Sequence, residues 1–526
     1  MKALKSVLLS LMMVSVSVIY ATEPLSVQMV ESHGLGDFYC NKSYKTDLAT
    51  TGWDYVSGLV ANAVLKAWER YPEKGGYYAA VKAFADKNTL ADGSMILKAT
   101  GGSALGASNI DDLAAGKIFF TLYQEELRKG KLADANRYKT AATLIRNTLK
   151  YNHSRIAEGL PGAGGFFHKA SYPSQMWLDG LYMGPAVYAQ WQSVFGKDSL
   201  DGQQAAWSDI ALQFKILHQY TYDPDKQLNY HAWAAIPTDP NAFWANQSAP
   251  FKGCNPEFWG RSMGWYFAAL TDVLELMPVD HPDRSQLEIN YKQVAVGLKR
   301  WQDPVSGAWF QLLQYDASKK ADGVGDLVGG KRYNIGTTSN YLEASCSCMF
   351  TYAFYKGVRL GLLDRETYLP VAEKAYAGLL STFIRQKQGS SAIDIIQSCA
   401  SAGLGPSKDP SRTGTVNYYL CGKDVGLAVN EGKAIGTFIM ASLEKEWHDQ
   451  STAVEPLSAE GGEVACTICA PHEGLYLVRD GHTKMSTRKV MLRKGDNTVF
   501  LPVASQKNGR HTSVYTSRGV LLRRFL

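Results

Sequence analysis

Two aromatic-rich stretches of this 526-residue chain hold single ionisable groups in apolar, glycine-rich surroundings. The first reads GGFFHK from Gly164 to Lys169 and continues as YPSQMWLDGLY from Tyr172 to Tyr182. The second reads PEFWGRSMGW from Pro256 to Trp265. Trp beside Asp, Arg and Gly is the mixture a sugar site needs. Flat apolar faces suit a pyranose ring, polar groups its hydroxyls, and a guanidinium fork a carboxylate. Aromatics at helical spacing more often fill a core; it is the charges set between them that point to a ligand.

Something must position these groups, and the periodicity says what. From Trp53 to Glu446 the apolar residues recur at helical spacing over 53–71, 76–88, 109–128, 134–151, 177–196, 203–220, 257–277, 282–303, 339–362, 366–386 and 430–446. Leu287, Tyr291, Val294 and Leu298 are one such stripe. The connections alternate in kind. Those at 277–283 and 361–365 are short, whereas 89–108, 152–176, 221–256, 304–338 and 387–429 are long and rich in Gly, Pro and aromatics. Loops beyond about a dozen residues in a compact domain are commonly functional. Short turns at one end and long loops at the other predict an all-α toroid of helical hairpins with its mouth built from the long loops. Pro185 predicts that the regular helix near Asp179 starts only after that residue.

The rest of the chain bounds the answer. Lys2 and Lys5, the apolar run Val7 to Ile19, and Ala21 read as a signal peptide over 1–21. This predicts an exported protein, periplasmic or secreted, with no membrane span. After 451 the texture turns to short β-rich runs between turn pairs, predicting a small basic β-rich region over 451–526 behind a domain spanning 22–450. That tail concentrates the charge: residues 471–526 hold eleven Lys or Arg against Glu473, Asp480 and Asp496. The chain's net +6 therefore says nothing of a basic catalytic body, and a nucleic-acid partner is not expected. Eight cysteines in so long a chain make no disulfide framework. Cys346 and Cys348, two apart in a helix, face differently; Cys466 and Cys469 read as structural or locally bridged rather than metal-binding. No phosphate-binding glycine loop and no plausible metal cluster is present, so no cofactor is expected.

In order along residues 40 to 448, the chain resembles the unsaturated rhamnogalacturonyl hydrolases, glycoside hydrolase family 105. The matching stretches are Trp53–Tyr55, Asn109–Gly116, Phe167–Gly184, Tyr230–Trp233, Phe258–Trp265, Asn340–Ser345 and Gly432–Ala441. The resemblance implies an (α/α)6 barrel and an unusual reaction. Ordinary glycosidases set two carboxyls across the scissile bond. Here the substrate is a vinyl ether, with a C4=C5 double bond at the non-reducing end of a pectin-derived oligosaccharide. Hydration of that bond gives a hemiketal whose opening frees the aglycone. By the same resemblance Asp179 is the general acid at C4 and then the base toward water, and Asp111 is the second essential aspartate, with Asp112 as its competitor for that role. His231, Arg261 and Trp265 would line the uronate subsite, Trp177 and Trp265 would stack on the ring, and Tyr55, His168 and Lys169 would complete the rim. Cys346 stands where the family often has a smaller residue, and the segments 310–338 and 402–416 depart from the pattern in ways that bear on the aglycone. Two rivals remain at this level. One is the same chemistry on glycosaminoglycan fragments; the other is a non-catalytic glycan-binding toroid, which has no use for both aspartates.

Overall fold

The apolar stripes become helices because they have something to pack against on one side or on all sides. The computed structural model describes residues 23–451 other than 41, 96–107 and 197–202, and beyond them the backbone of seven strands between 457 and 525. The helices in chain order are α1 (Leu25–Met29), α2 (Tyr55–Arg70), α3 (Gly75–Asn88), α4 (Ile118–Arg128), α5 (Leu132–Asn147), α6 (Leu178–Met183), α7 (Pro185–Phe195), α8 (Gln203–Thr221), α9 (Gly260–Leu276), α10 (Arg284–Arg300), α11 (Ala344–Arg359), α12 (Arg365–Thr382), α13 (Val416–Cys421) and α14 (Gly432–Ser451).

Six segments close a ring in which each packs on the next. They are α2, the 3-10 segment Ile110–Lys117 leading into α4, α6 with α7, α9, α11 and α14, which returns to α2. Outside them α3, α5, α8, α10 and α12 each follow and pack on their inner partner, while α1 packs on α14. This is the (α/α)6 barrel. The layers differ in burial as the geometry requires. Every residue of α11 from Ala344 to Gly357 is buried, whereas α10 buries one stripe that includes Leu287, Tyr291, Val294 and Leu298. Because each outer helix reverses the chain, the six inner segments run the same way and start at one end of the barrel.

Two close approaches set the ring's tightness. A Cβ on Gly58 would lie 2.2 Å from the Cβ of Ala115, so α2 meets the 110–117 segment almost backbone to backbone. A Cβ on Gly260 would lie 2.9 Å from Cys346 Sγ, at the junction of α9 with α11. Cys346 and Cys348 are unbridged and buried, as are Cys40, Cys254 and Cys399.

Three stretches expected as single helices are divided. Residues 109–128 begin as a 3-10 segment capped by Asn109, whose side chain accepts from the Asp111 amide at 3.2 Å. Residues 134–151 end in a π-helical turn, Thr148–Asn152. Residues 177–196 divide at Gly184 and Pro185, where proline has no amide to continue the ladder. The helix near Asp179 therefore does not wait for Pro185: Asp179 already sits in the first turn of the six-residue α6.

No described helix is long and apolar enough to cross a membrane. The segment 1–21 lies outside the described residues. In the tail, strands 457–460, 463–470 and 495–502 form one antiparallel sheet, and 487–492, 474–480, 512–516 and 521–525 another. Cys466 and Cys469 lie on the same extended strand, Glu463–Ala470.

Candidate active site

The inner ring delivers its first residues to one mouth. Tyr55 opens α2, Asp111 is second in the 110–117 segment, Asp179 second in α6, Arg261 second in α9 and Lys433 second in α14. Glu343 is the N-cap of α11, accepting from the Cys346 amide at 2.8 Å. All six starts lie at one end of the barrel, and four of them are capped by side chains: Asp54 on α2, Asn109 on the 110–117 segment, Glu343 on α11 and Glu431 on α14.

Short strands in the long loops fix the register. Gln175–Trp177 pairs antiparallel with Ala232–Ala234, and the Leu178 amide donates to the His231 carbonyl at 3.0 Å. That pairing sets Asp179 beside His231. On the neighbouring segment the Ile110 amide donates to the His168 carbonyl at 3.1 Å, bringing Asp111 to His168 and Lys169. The Gly260 amide donates to the Gln311 carbonyl at 2.8 Å, which anchors the start of α9.

These ends enclose a pocket of about 230 Å³. Of the residues expected from sequence, Tyr55, Asp111, His168, Lys169, Trp177, Asp179, Arg261 and Trp265 line it. His231 stands directly behind: its Nε2 is 3.1 Å from Asp179 Oδ2, and its Nδ1 is 2.7 Å from Tyr419 Oη. Asp111, and not Asp112, faces the pocket. The Asp112 carboxylate turns to Asn109 Nδ2 at 3.2 Å, and its carbonyl accepts from Trp53 Nε1 at 2.8 Å.

The two pocket aspartates have different company. Asp111 Oδ2 is 3.0 Å from Lys169 Nζ and its Oδ1 3.5 Å from His168 Nε2. Burial presses its pKa upward, but Lys169 and His168 outweigh burial and leave it below the usual carboxylate value. Burial, with the charge of Asp111 beside it, lifts Asp112 to about 6. Among the described residues, His231 is the basic side chain within ion-pairing distance of Asp179. Burial holds His168 down to about 4 despite the pull of Asp111, so it is neutral at pH 7. Its ring stacks on Trp177 with centroids 4.2 Å apart, and Tyr172 lies nearly parallel to both. The Trp177 indole is thus already committed to protein rings on one face.

Arg261 is the cation of the floor, with a side chain 1% exposed. Burial opposes its charge, but Cys399, Glu343 and Glu431 more than restore it. Its Nη2 donates to the Cys399 carbonyl and its Nη1 is 3.8 Å from Glu431 Oε2, while Nε and Nη1 have no hydrogen-bond partner. Lys433 pairs with Glu431 through its ammonium. Unpaired buried guanidinium nitrogens on a pocket wall are a standing invitation to an anion.

Several lining residues escaped the sequence reading: Tyr172, Met183, Trp259, Arg412, Lys433 and the stretch Ser401–Gly403. Trp259 and Tyr172 lie inside the aromatic-rich stretches, so proximity along the chain was a usable signal. Tyr419 offered none, because its place behind His231 depends on a contact 188 residues apart.

Comparison with known proteins fits this geometry. Residues 38–322 and 334–447 match Glycosyl Hydrolase Family 88. A solved structure of a family 105 glycoside hydrolase from C. acetobutylicum ATCC 824 is 32% identical, covers 81% of this chain and 99% of its own, and superposes with a TM-score of 0.64. The 24.9 kDa protein in picA locus of Rhizobium radiobacter is 31% identical over 39% of this chain and 77% of its own length. An unsaturated 3S-rhamnoglycuronyl hydrolase of Formosa agariphila is 27% identical over 39% of this chain and 45% of its own. A match over most of the chain, on a barrel whose helix starts converge on two aspartates and a buried arginine, makes this protein a member of glycosyl hydrolase family 88, a glycoside hydrolase grouped with the family 105 enzymes.

Proposed function

We propose that the enzyme removes a 4,5-unsaturated galacturonic acid from the non-reducing end of rhamnogalacturonan oligosaccharides by hydrating the C4=C5 bond. One observation carries this reading: Asp111 and Asp179, from different inner helix starts, line a single pocket whose floor is the under-bonded guanidinium of Arg261. The uronate carboxylate pairs with Arg261, and the ring lies against Trp265. The Asp179 carboxyl gives its proton to C4. The resulting carboxylate then takes a proton from water as that water's oxygen bonds to C5. The product is a hemiketal at C5. It opens to a C5 ketone, leaving C1 as a hemiacetal that releases the aglycone alcohol. His231 steadies Asp179, and Asp111, held as an anion by Lys169, orders the hydroxyl side of the ring.

The leader-like segment 1–21 supports export to the periplasm or beyond, and the strands after 457 support a separate β-rich region over 451–526. The test of the chemistry is optical. Ultraviolet absorbance of the conjugated double bond is followed while the protein acts on lyase-digested rhamnogalacturonan, with Asp179→Asn alongside. Wild type should bleach the band and the variant lose about 10²- to 10⁴-fold in rate. Unchanged absorbance with wild type on both pectin and glycosaminoglycan digests would sink the proposal and favour a binding toroid.

A further inference from the structure

The family match omits residues 323–333, and that stretch supplies a clamp at the pocket mouth. It forms the hairpin Asp326–Val328 with Lys331–Tyr333. Asp326 Oδ2 accepts from Thr413 Oγ1 at 2.7 Å and Thr415 Oγ1 at 2.8 Å, and its Oδ1 accepts from Asn417 Nδ2 at 3.2 Å. Asn334 Nδ2 bridges the same carboxylate and the Ser411 carbonyl, both at 2.7 Å. One carboxylate therefore ties down the loop from 411 to 417, and that loop carries Arg412 into the pocket wall.

Arg412 is placed to meet something outside the protein. Its Nη2 donates to Asp424 Oδ2 at 2.6 Å and its Nε is 3.2 Å from Asp409 Oδ2. Those carboxylates are themselves paired, Asp424 with Lys42 at 3.7 Å and Asp409 with Lys423 at 3.1 Å, so the cluster keeps one cation in excess. Despite that approach Nε makes no hydrogen bond, and among the described residues none is found for Nη1. It borders Gly403, where a Cβ would sit 3.5 Å from it and 3.3 Å from the Trp177 ring. A side chain there would fill the space between arginine and indole. Exposure separates the levels of the pocket: the Arg261 side chain is 1% exposed and that of Arg412 is 26%. The first lies on the floor and the second at the rim.

We infer that Arg412, held by the Asp326 clamp, forms a second anion subsite at the rim that takes an acidic group on the aglycone, either the carboxylate of a further uronate or a sulfate ester. This rests on the hydrolase reading above: the terminal uronate fills the floor, so the rest of the oligosaccharide leaves past the rim.

The full-length enzyme is assayed on three unsaturated uronides, carrying a neutral sugar, a sugar followed by a uronate, or a sulfated sugar. Wild type should show kcat/KM at least about tenfold higher on one anionic substrate than on the neutral one, as one charge-assisted contact of about 1.5 kcal/mol provides. Added salt should erode that ratio. Arg412→Gln should bring the ratio close to one, and Asp326→Ala should move it the same way. Preference for the uronate substrate identifies a carboxylate as the partner; preference for the sulfated one identifies a sulfate ester. Equal kcat/KM on all three with wild type, or a ratio untouched by Arg412→Gln, overturns the subsite while the hydrolase reading stands. No turnover of any of the three overturns the hydrolase reading itself, and the subsite with it.

Discussion

At the scale of single residues the site is a set of paired controls on two aspartates. Asp111 is an anion because the charge of Lys169 above all outweighs its burial, His168 adding its pull only once protonated. Replacing Lys169 by Met removes the nearest cation, so the Asp111 pKa must rise. If the anion is the working form, the acid limb of the kcat/KM profile moves to higher pH, and an unmoved limb would show that Asp111 is not the group read there. Asp179 is controlled through His231. In the neutral tautomer that places Nε2–H toward Asp179, Nδ1 accepts from the Tyr419 hydroxyl at 2.7 Å. Tyr419→Phe deletes that donor and keeps the ring. A lost hydrogen bond of about 1 kcal/mol predicts a kcat lower by about fivefold with KM little changed, and no additional loss when combined with His231→Gln. A full additive loss in the double variant would separate the two residues. The sequence displayed Asp179, Arg261 and the aromatics because they sit in short, compositionally odd stretches. It could not display Tyr419, whose partner His231 lies 188 residues away, or Arg412, which reaches the pocket wall on a loop tied down by Asp326.

At the scale of elements the function depends on where six helices begin. Amphipathic periodicity made nearly all of them legible, because a stripe of apolar residues at 3.6 spacing survives without knowledge of its partner. What periodicity missed was winding. It does not distinguish an α turn from the 3-10 segment at 110–117, nor the division at Gly184, and these are the places that aim Asp111 and Asp179. The 110–117 segment is held in place by the bare surface of Gly58. A methyl group on Gly58 would stand 2.4 Å from the Ala115 Cα, backbone that cannot rotate away. Gly58→Ala should therefore cost about 1–3 kcal/mol in denaturant unfolding and lower activity by displacing Asp111. Gly52→Ala is the control, since nothing lies within 4 Å of the added atom. Equal stability in the two variants would mean that α2 and the 110–117 segment can part without consequence.

Across the whole molecule, the barrel buries titratable groups whose linkage sets its acid tolerance. Burial depresses His168 and His218 to about 4 each, the former against the pull of Asp111 and the latter against its bond to Gln293. In the unfolded chain both return to about 6.5. A base with a depressed folded pKa contributes stability that is complete above its unfolded value. Between about 6.5 and 4 the unfolded state binds protons that the folded state refuses, so that stability is lost as pH falls. Two such histidines contribute a slope of up to about 2.7 kcal/mol per pH unit within that window. Asp111, Asp272 and Glu275 act further down, because cations keep their pKa values below the usual range despite burial, and protonating them removes stability that neutral pH supplies in full. Asp112 and Glu257, lifted by burial to about 6 and about 7, take up protons in the folded state over the same range and oppose the histidines. Urea unfolding at pH 7.0, 6.0 and 5.0 therefore reads the net, and the difference between wild type and a histidine variant isolates the histidine part. His218→Gln replaces a ring 8% exposed that bonds to Tyr266 and Gln293, and it removes one titrating site that does not line the pocket. The variant should start less stable at pH 7.0 and lose less between pH 6.0 and 5.0, so that its curve converges on wild type in acid. Parallel curves would mean that His218 is protonated in the folded barrel and that its burial carries no linkage.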